Sequence, residues 1–262
     1  MLAAGKGTRM RERASDARLT GEQTAAADAG LKMLVPIHGR PYLAYVLHEL
    51  ADAGFDEAVL VVGPGPADPV RAAADELGAR RLRLRCIEQA SPRGVADAVL
   101  AAEPAVGADP FLVINADNIY PAHVLAGVAS LEGPGLAAFD AAALVARSNI
   151  PADRLRSFAL IEARDGWLVR VVEKPDAASA SALTGAPVSM TCWRFDASIF
   201  DACRAVAPSP RGELELPAAV ELAVARGTRF RVVPVEAGVL DLSTRADIPA
   251  LERLLARRTP CP

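Results

Sequence analysis

The sequence feature that most constrains the fold is an alternation of apolar runs and helical patterns in the first half of the chain. Helical patterns cover 41–54, 69–79 and 94–106, and strand-like runs cover 58–63, 82–88 and 111–114. Strands that alternate with helices in this way are typical of a parallel sheet with helices on both faces. Ligands of such sheets bind at the carboxyl ends of the strands.

The second half of the chain is less regular and predicts a mixed extension of the same sheet. Strands are expected near 135–140, 157–163, 168–173, 188–195 and 229–236, and helices near 196–206, 216–227 and 245–257. No internal repeat, low-complexity linker or shift in composition marks a boundary. We therefore expect a single α/β domain over residues 1–262.

A glycine loop, LAAGKGTRM from Leu2 to Met10, follows the first predicted strand. Gly5 and Gly7 allow successive N–H groups to point into one concavity and bind anionic oxygens, and Arg9 adds a planar fork of donors. The loop matches neither the Walker nor the dinucleotide-binding pattern, so an ordinary turn is the alternative. The first strand has only about three residues against a typical ~5–6, and we expect upstream residues to be missing.

Composition restricts the partners of the chain. Its net charge is −3, which provides no broad basic field for nucleic acid. No apolar run has the length of a membrane helix, and Lys6 comes too early for a signal peptide. The four cysteines show no C-x-x-C pairing, which argues against a zinc site or a disulfide framework. We expect a cytoplasmic protein that binds small molecules. Both a monomer and a homo-oligomer are compatible with the sequence.

Lysines and side-chain amides are scarce in this arginine-rich chain. One explanation for each remaining lysine is that its position requires a compact ammonium and has no room for a wide guanidinium. The alternative is that these lysines were retained by chance. The rare residues are Lys6, Lys32, Lys174, Asn115, Asn118, Asn149, Gln23 and Gln89.

Two carboxylates stand where a divalent cation could be held. Asp117 follows an apolar run and lies between two of the rare asparagines, and Asp241 follows the apolar pair Val239-Leu240. Carboxylate oxygens are the hard ligands that Mg²⁺ prefers. An ordinary turn or helix-capping aspartate is the alternative for each.

Further polar residues suggest contacts to a phosphorylated ligand. Glu173 and Lys174 close a predicted strand, and Arg211 precedes a helix whose first turn is expected to be acidic. Gln89 lies five residues before Gly94, where an amide can pair with a nucleobase edge. Surface ion pairs and loop residues are the alternatives. No Ser/His/Asp or Cys/His arrangement provides a nucleophile for covalent catalysis.

As a set, LAAGKGTRM, Lys32 in LKMLVPI, GVADAV, NADN, VEKP, RGELEL and VLDLST resemble the motifs of the sugar-1-phosphate nucleotidylyltransferases, especially glucose-1-phosphate thymidylyl- and uridylyltransferases. The resemblance runs nearly end to end. It implies a Rossmann-like, GT-A-like nucleotidyltransferase fold: a three-layer sandwich with a mostly parallel central sheet. It also implies a reaction that joins a nucleoside triphosphate to a sugar 1-phosphate, uses Mg²⁺ and releases pyrophosphate.

The resemblance assigns a role to each matching residue. Arg9, Lys32 and Asp117 would act at the reacting phosphates, and Asp117 and Asp241 would hold the metal. The nucleotide would be bound by Ala3, Ala4, Gly5, Gly7, Thr8, Arg9, Gln89 and Gly94, of which the last two would read the base and favour UTP or dTTP. The sugar phosphate would be bound by Ala159, Glu173, Lys174, Thr191 and Arg211.

The sequence also departs from the family pattern. The loop between Arg9 and Lys32 is longer than usual, Ala159 stands where glycine is common, and Thr191 replaces a small residue. These departures concern the sugar more than the reaction. The alternatives are the same fold using GTP, CTP or a non-sugar phosphate, and a non-catalytic nucleotide-binding protein. A glycosyltransferase would present Asp-x-Asp, but this chain has Asn115 in the first position.

Overall fold

The computed structural model describes residues 1–5, 7–12, 18–64, 68–77, 80–173, 175, 183 and 185–262. Two of the three lysines, Lys6 and Lys174, lie outside the described residues, and with them the predicted sugar-phosphate contact of Lys174.

The described part of the chain alternates helices and strands. The helices are α1 (Thr8–Arg11), α2 (Gly21–Asp28), α3 (Tyr42–Asp52), α4 (Pro69–Leu77), α5 (Val95–Ala101), α6 (Glu103–Val106), α7 (Ala122–Ala129), α8 (Ala141–Ala146), α9 (Ser198–Ala205), α10 (Leu216–Ala225) and α11 (Ile248–Leu255). The strands are β1 (Pro36–Ile37), β2 (Arg40–Pro41), β3 (Glu57–Val62), β4 (Arg83–Glu88), β5 (Phe111–Val113), β6 (Asn118–Ile119), β7 (Gly135–Phe139), β8 (Ala159–Arg164), β9 (Trp167–Val172), β10 (Val188–Ser189), β11 (Trp193–Phe195), β12 (Arg231–Val235) and β13 (Leu240–Asp241). Short 3₁₀ turns cover Lys32–Leu34, Ala152–Ser157 and Arg245–Asp247.

The N-terminal half forms a parallel part of the sheet. Strands β3 and β4 pair in parallel along their whole length, and Leu2 makes parallel bridges to Val61 of β3 and to Asn115 just after β5. The first residues of the chain therefore run between β3 and β5. The carboxyl ends of these strands share one edge of the sheet, and both the glycine loop and Asp117 follow there.

The rest of the sheet is the mixed extension that the sequence predicted. The order in the seven-stranded sheet is β10–β8–β9–β12–β7–β11–β5. Within this order β12 and β7 pair in parallel, and the other neighbours pair antiparallel. Strand β5 belongs to both parts and joins them.

Helices and loops cover both faces of this sheet. On β7, Leu136 and Ala138 are buried in a hydrophobic cluster with the aromatic residues of β11, whereas Ala137 and Phe139 are buried in a second cluster with α3 and α7. Successive side chains of a strand point to opposite faces, so each cluster lies on one face. The three-layer α/β fold is confirmed.

Helix α3 shows which signals made the sequence prediction work. The helix predicted over 41–54 runs over Tyr42–Asp52, with Pro41 as its N-cap and Gly54 in a left-handed conformation, φ 89°, after its end. Leu43 and Leu47 are completely buried, and each contributes roughly 1.5–3 kcal/mol of hydrophobic stabilisation.

Two predicted elements are divided in the structure. The helix expected over 94–106 consists of α5 and α6, because Pro104 has no N–H to continue the α5 hydrogen-bond ladder. The strand expected over 188–195 consists of β10 and β11, which are separated by a bend at Thr191 with φ 58°. Both divisions depend on single residues inside otherwise regular patterns.

The long loop that the sequence indicated between Arg9 and Lys32 contains α2. Its N-cap, Thr20, and Gln23 form a reciprocal capping box, so two orphan N–H groups of the helix start are satisfied. Gln23 also donates to Glu252 Oε1 at 2.7 Å, which ties α2 to the C-terminal helix α11.

Candidate active site

The glycine loop makes a close turn at Gly7. This residue has φ 60°, and a Cβ atom there would lie 2.1 Å from the carbonyl oxygen of Gly30. Only glycine fits both conditions. A Cβ at Gly5 would meet nothing within 4 Å, so the sequence argument for that glycine stays a prediction. After the turn, α1 exposes Thr8 and Arg9 and buries Met10.

Lys32 and Asp117 form an ion pair at the edge of the sheet. Lys32 Nζ lies 2.9 Å from Asp117 Oδ2, and the two side chains are 14% and 24% exposed. Lys32 begins the 3₁₀ turn that follows α2, and Asp117 follows β5. The structure thus joins two residues that are 85 positions apart in the sequence.

Asp241 is brought to the same place by a short ribbon, in which β13 pairs with β6 and Asp241 lies opposite Asn118. Its Oδ1 accepts from Asn118 Nδ2 at 3.3 Å, and its Oδ2 accepts from Arg154 Nη1 at 3.0 Å. Burial, and after it the negative charge of Asp117, raises the pKa of Asp241 to about 6. We call Lys32, Asp117 and Asp241 the carboxylate cluster.

Sequence reasoning missed the residues that hold Asp241. Arg154 also donates to Asp247 Oδ1 at 2.7 Å, so one guanidinium joins two buried carboxylates. The side chain of Asn149 bonds both backbone groups of Asp241, at 2.7 and 2.8 Å. The scarcity of asparagine was a usable signal for Asn149, whereas nothing distinguishes Arg154 in a chain so rich in arginine.

The carboxylate cluster suits Mg²⁺, which proteins often hold through one or two carboxylates together with substrate phosphates. The charge of Asp117 opposes ionisation of Asp241, and a divalent cation between the two would relieve this repulsion. Within the residues that the structure describes, no group of three or more His, Cys, Asp and Glu side chains could hold an ion by itself. The residues present therefore fit a metal that is completed by its substrate.

A separate cavity of about 480 Å³, which we call the Arg9–Arg211 cavity, is not lined by any of the three residues of the cluster. Five residues that the sequence assigned to substrates line it: Arg9, Ala159, Glu173, Thr191 and Arg211. Its wall also includes Asn115, two residues before Asp117, together with Phe158 and Trp193, although Trp193 is only 2% exposed. Arginines at two places and an apolar ring face suit a ligand with both phosphate and sugar parts.

Arg211 lies on the exposed side of this cavity. Its Nη2 is 2.9 Å from Glu215 Oε1 and 3.9 Å from Glu213 Oε2, and the hydrogen bond to Glu215 is the main cause that raises its pKa. The expected acidic first turn is not observed, because α10 begins at Leu216 and both glutamates precede it. The glutamates instead face the arginine that they follow in sequence.

Thr191 forms part of the cavity wall in a strained conformation. Its φ of 58° is uncommon for any side chain and exceptional for a β-branched one. The hydroxyl of Tyr120 donates to the carbonyl oxygens of Met190 at 2.5 Å and Thr191 at 3.3 Å, which holds the bend. Such strain is typical of functional sites.

Gln89 and Gly94 meet at the start of α5 and do not line the cavity. Gln89 is 3% exposed, and its Nε2 donates to Gly94 O at 3.0 Å and to Asp97 Oδ2 at 2.8 Å. Gly94 has φ 123°, and a Cβ there would lie 2.5 Å from Leu214 O. This contact joins the GVADAV and RGELEL motifs.

Comparison with known proteins is consistent with this arrangement. A family model described as Nucleotidyl transferase matches residues 1–238. The UTP–glucose-1-phosphate uridylyltransferase AglF of Haloferax volcanii is 29% identical over 261 residues, which cover 99% of this chain and 96% of that protein. A glucose-1-phosphate thymidylyltransferase of Streptomyces griseus is 30% identical over 99% of this chain and 66% of its own length.

Solved structures with the same fold include a UDP-glucose pyrophosphorylase in complex with UDP-glucose. Its TM-score is 0.75 at 18% identity, and the match covers 98% of this chain and 97% of that one. A UTP-bound UGPase from Acinetobacter baumannii has a TM-score of 0.71 at 16% identity, with 99% and 93% covered. At these identities the likeness concerns the fold alone.

Proposed function

Because the chain belongs to the nucleotidyl transferase family, we propose that it transfers a nucleotidyl group from UTP or dTTP to a sugar 1-phosphate. The products are a nucleoside diphosphate sugar and pyrophosphate. The observation that carries the proposal is the Arg9–Arg211 cavity. Arg9 of the glycine loop lines it together with residues from segments far away in sequence, namely Glu173, Thr191 and Arg211. The names of the curated relatives point in the same direction.

In this reaction an oxygen of the acceptor phosphate attacks the α-phosphorus of the triphosphate. A new P–O bond forms there, the bond from the α-phosphorus to the bridging oxygen of the β-phosphate breaks, and pyrophosphate leaves with the electron pair. The two substrates are anions that repel each other, so the enzyme must align them and neutralise the charge that develops.

Each residue of the site has a task in this scheme. The backbone around Gly7 and the side chain of Arg9 bind the triphosphate, and Arg211 binds the acceptor phosphate. Lys32 brings a compact positive charge to the reacting phosphates, and Glu173 accepts hydrogen bonds from sugar hydroxyls. Asp117 and Asp241 would hold Mg²⁺, which supplies charge neutralisation on the phosphate oxygens.

The orientation of Gln89 is compatible with the preference for uracil or thymine that the resemblance implies. Both partners of its Nε2, Gly94 O and Asp97 Oδ2, are acceptors, so the amide orientation is fixed. Its Oε1 is then the atom left for a base, and it can accept from the ring N–H of uracil or thymine. The ring nitrogens of cytosine and adenine at the pairing edge carry no hydrogen to donate, whereas that of guanine does, so this contact separates UTP, dTTP and GTP from CTP and ATP only.

Other parts of the assignment stay predictions: one domain over 1–262, a cytoplasmic location and any homo-oligomer. Among the described residues no helix is long and apolar enough to cross a membrane. Ala159 and Thr191 leave the identity of the sugar open, and a non-hexose or non-sugar phosphate is the alternative acceptor.

The experiment is a substrate panel with the purified protein and Mg²⁺. Each of ATP, CTP, GTP, UTP and dTTP is combined with a set of sugar 1-phosphates, and pyrophosphate release is followed. We expect release with UTP or dTTP that depends on the acceptor. Release with CTP or GTP alone would overturn the base assignment, and absence of release with every pair would favour a nucleotide-binding protein.

A further inference from the structure

A buried arginine, Arg245, connects the metal-binding segment to the glycine loop. It lies four residues after Asp241, in the 3₁₀ turn Arg245–Asp247, and is only 6% exposed. Its Nε donates to the carbonyl oxygen of Met10 at 2.8 Å, and its Nη2 donates to that of Arg11 at 3.3 Å. Its guanidinium also forms an ion pair with Asp28 of α2.

The two carbonyls belong to the end of α1, the single turn that carries Arg9. The last carbonyls of a helix have no partner inside the helix, and in a helix of four residues this affects most of its length. A guanidinium at this end supplies the missing donors and a favourable charge. Arg245 therefore fixes the far end of the turn whose near end begins at Gly7.

The segment that carries Arg245 is itself rigid. The Oδ2 of Asp247 accepts from the backbone N–H of Ser243 at 3.1 Å and of Thr244 at 2.7 Å. The other carboxylate oxygen of Asp247 accepts from Arg154, which also bonds Asp241. One short stretch thus presents Asp241 to the carboxylate cluster and Arg245 to the triphosphate loop, in a fixed spacing.

We propose that Arg245 is a positioning residue that sets the place of the Arg9 turn relative to Asp241, so that the triphosphate and the metal carboxylates meet in register. The proposal rests on the proposed function for what the loop binds. Arg245 touches no substrate in this scheme and acts through α1. A merely structural arginine would stabilise the fold without changing how the loop binds nucleotide.

The test compares equilibrium binding of UTP and dTTP, without acceptor, in the wild type and in Arg245→Lys. The ammonium keeps the charge beside Asp28 but cannot bond two carbonyls and a carboxylate as the guanidinium does. We expect binding to weaken about tenfold, together with a rise in the KM for the triphosphate, while the KM for the acceptor stays unchanged.

Two controls separate the contacts. Asp28→Asn removes only the ion pair, and we expect it to leave triphosphate binding within about twofold. Arg81 has the same kind of partners, Asp52 Oδ1 at 2.7 Å and Cys261 O at 3.3 Å, but its side chain is 41% exposed, so Arg81→Lys is the same substitution at a surface pair. It should leave triphosphate binding unaltered and change the melting temperature little.

Unchanged triphosphate binding in a folded Arg245→Lys with a lowered melting temperature would overturn the proposal. Should that variant not fold, Arg245→Gln, which keeps an amide donor for Met10, is measured in the same way. A wild type that binds the triphosphate but transfers nothing would refute the proposed function and leave Arg245 testable by binding. A wild type that binds no triphosphate would overturn both.

Discussion

The carboxylate cluster and the Arg9–Arg211 cavity are built differently, although the proposed reaction needs both. In the cluster, Asp241 is 3% exposed and is bonded by three side chains that lie 87 to 123 positions away in the sequence, among them that of Arg154. In the cavity, the side chain of Arg211 is 46% exposed and pairs with Glu215, four residues further along. Asp241 is thus fixed by contacts from across the fold, whereas Arg211 is held locally and can be changed with little cost to stability.

The largest expected effect comes from removing the charge in the cluster. We expect Lys32→Met, which keeps most of the side-chain volume, to lower turnover by about 10²–10³-fold, because the charge at the transferring phosphate is no longer neutralised. Lys32→Arg should restore little of it, since the wider guanidinium does not occupy the place of an ammonium. Steady-state turnover with UTP and a sugar 1-phosphate is the measurement, and an active Lys32→Met would contradict the role of the cluster.

The next largest effect is expected in the glycine loop, where the close turn at Gly7 depends on a contact with the distant residue Gly30. We expect Gly7→Ala to lower the free energy of unfolding by about 2–4 kcal/mol, because left-handed strain is added to an overlap with the Gly30 backbone. Gly39→Ala is the control: its φ is 72°, in the two-residue turn between β1 and β2, and a Cβ there meets nothing within 4 Å. The control should cost about 1–2 kcal/mol in denaturant unfolding. Equal losses in the two variants would mean that the contact with Gly30 is unimportant.

Asp241 predicts a pH dependence of stability without metal. Its pKa is raised from the ordinary value of 3.8 to about 6 in the folded protein, so the folded state holds a proton that the unfolded state has already lost. The free energy of unfolding therefore falls as the pH rises above about 4, by about 1.5 kcal/mol between pH 5 and pH 8. Asp241→Asn should lack this part of the pH dependence in denaturant unfolding, and Mg²⁺ should reduce it in the wild type. An identical pH dependence in both proteins would show that Asp241 does not titrate in this range.

The smallest effect is expected in the Arg9–Arg211 cavity. Arg211→Lys should raise the KM for the acceptor about fivefold and leave the KM for the triphosphate and the melting temperature unchanged, because an exposed ion pair contributes little stability. Initial rates with each substrate varied in turn measure both constants. A loss of stability similar to that of Gly7→Ala would remove the distinction between the two regions.

The fold was largely predictable because its signals are local. Apolar runs of strand length and capped helices such as Tyr42–Asp52 are encoded by neighbouring residues. Helices α7 and α8 were not predicted: α8 is a short, alanine-rich helix that begins at Asp140, which accepts from the N–H of Ala143 at 2.7 Å. A single capping aspartate is too common a feature to predict a helix from one sequence.

The candidate site was predictable only where a residue type was rare or a motif was present. Lys32 and Asp117 were singled out in this way, and the structure joins them at 2.9 Å, while their roles in the reaction stay predictions. Arg154 and Arg245 were missed, because each acts through partners that lie 87 or more positions away and neither residue is rare in this chain. Contacts of that range depend on the tertiary fold, which residue spacing does not encode.

The most direct test of the account follows the nucleotidyl group itself, with UTP labelled in its α-phosphate and a sugar 1-phosphate as acceptor. Wild type and Asp117→Ala are compared with Mg²⁺ present, and the melting temperature of each is measured alongside. We expect that the wild type moves the label into a nucleoside diphosphate sugar, and that Asp117→Ala loses nearly all of this transfer while it stays folded. Equal transfer by the folded variant, or label that stays in uridine phosphates with the wild type, would contradict this expectation.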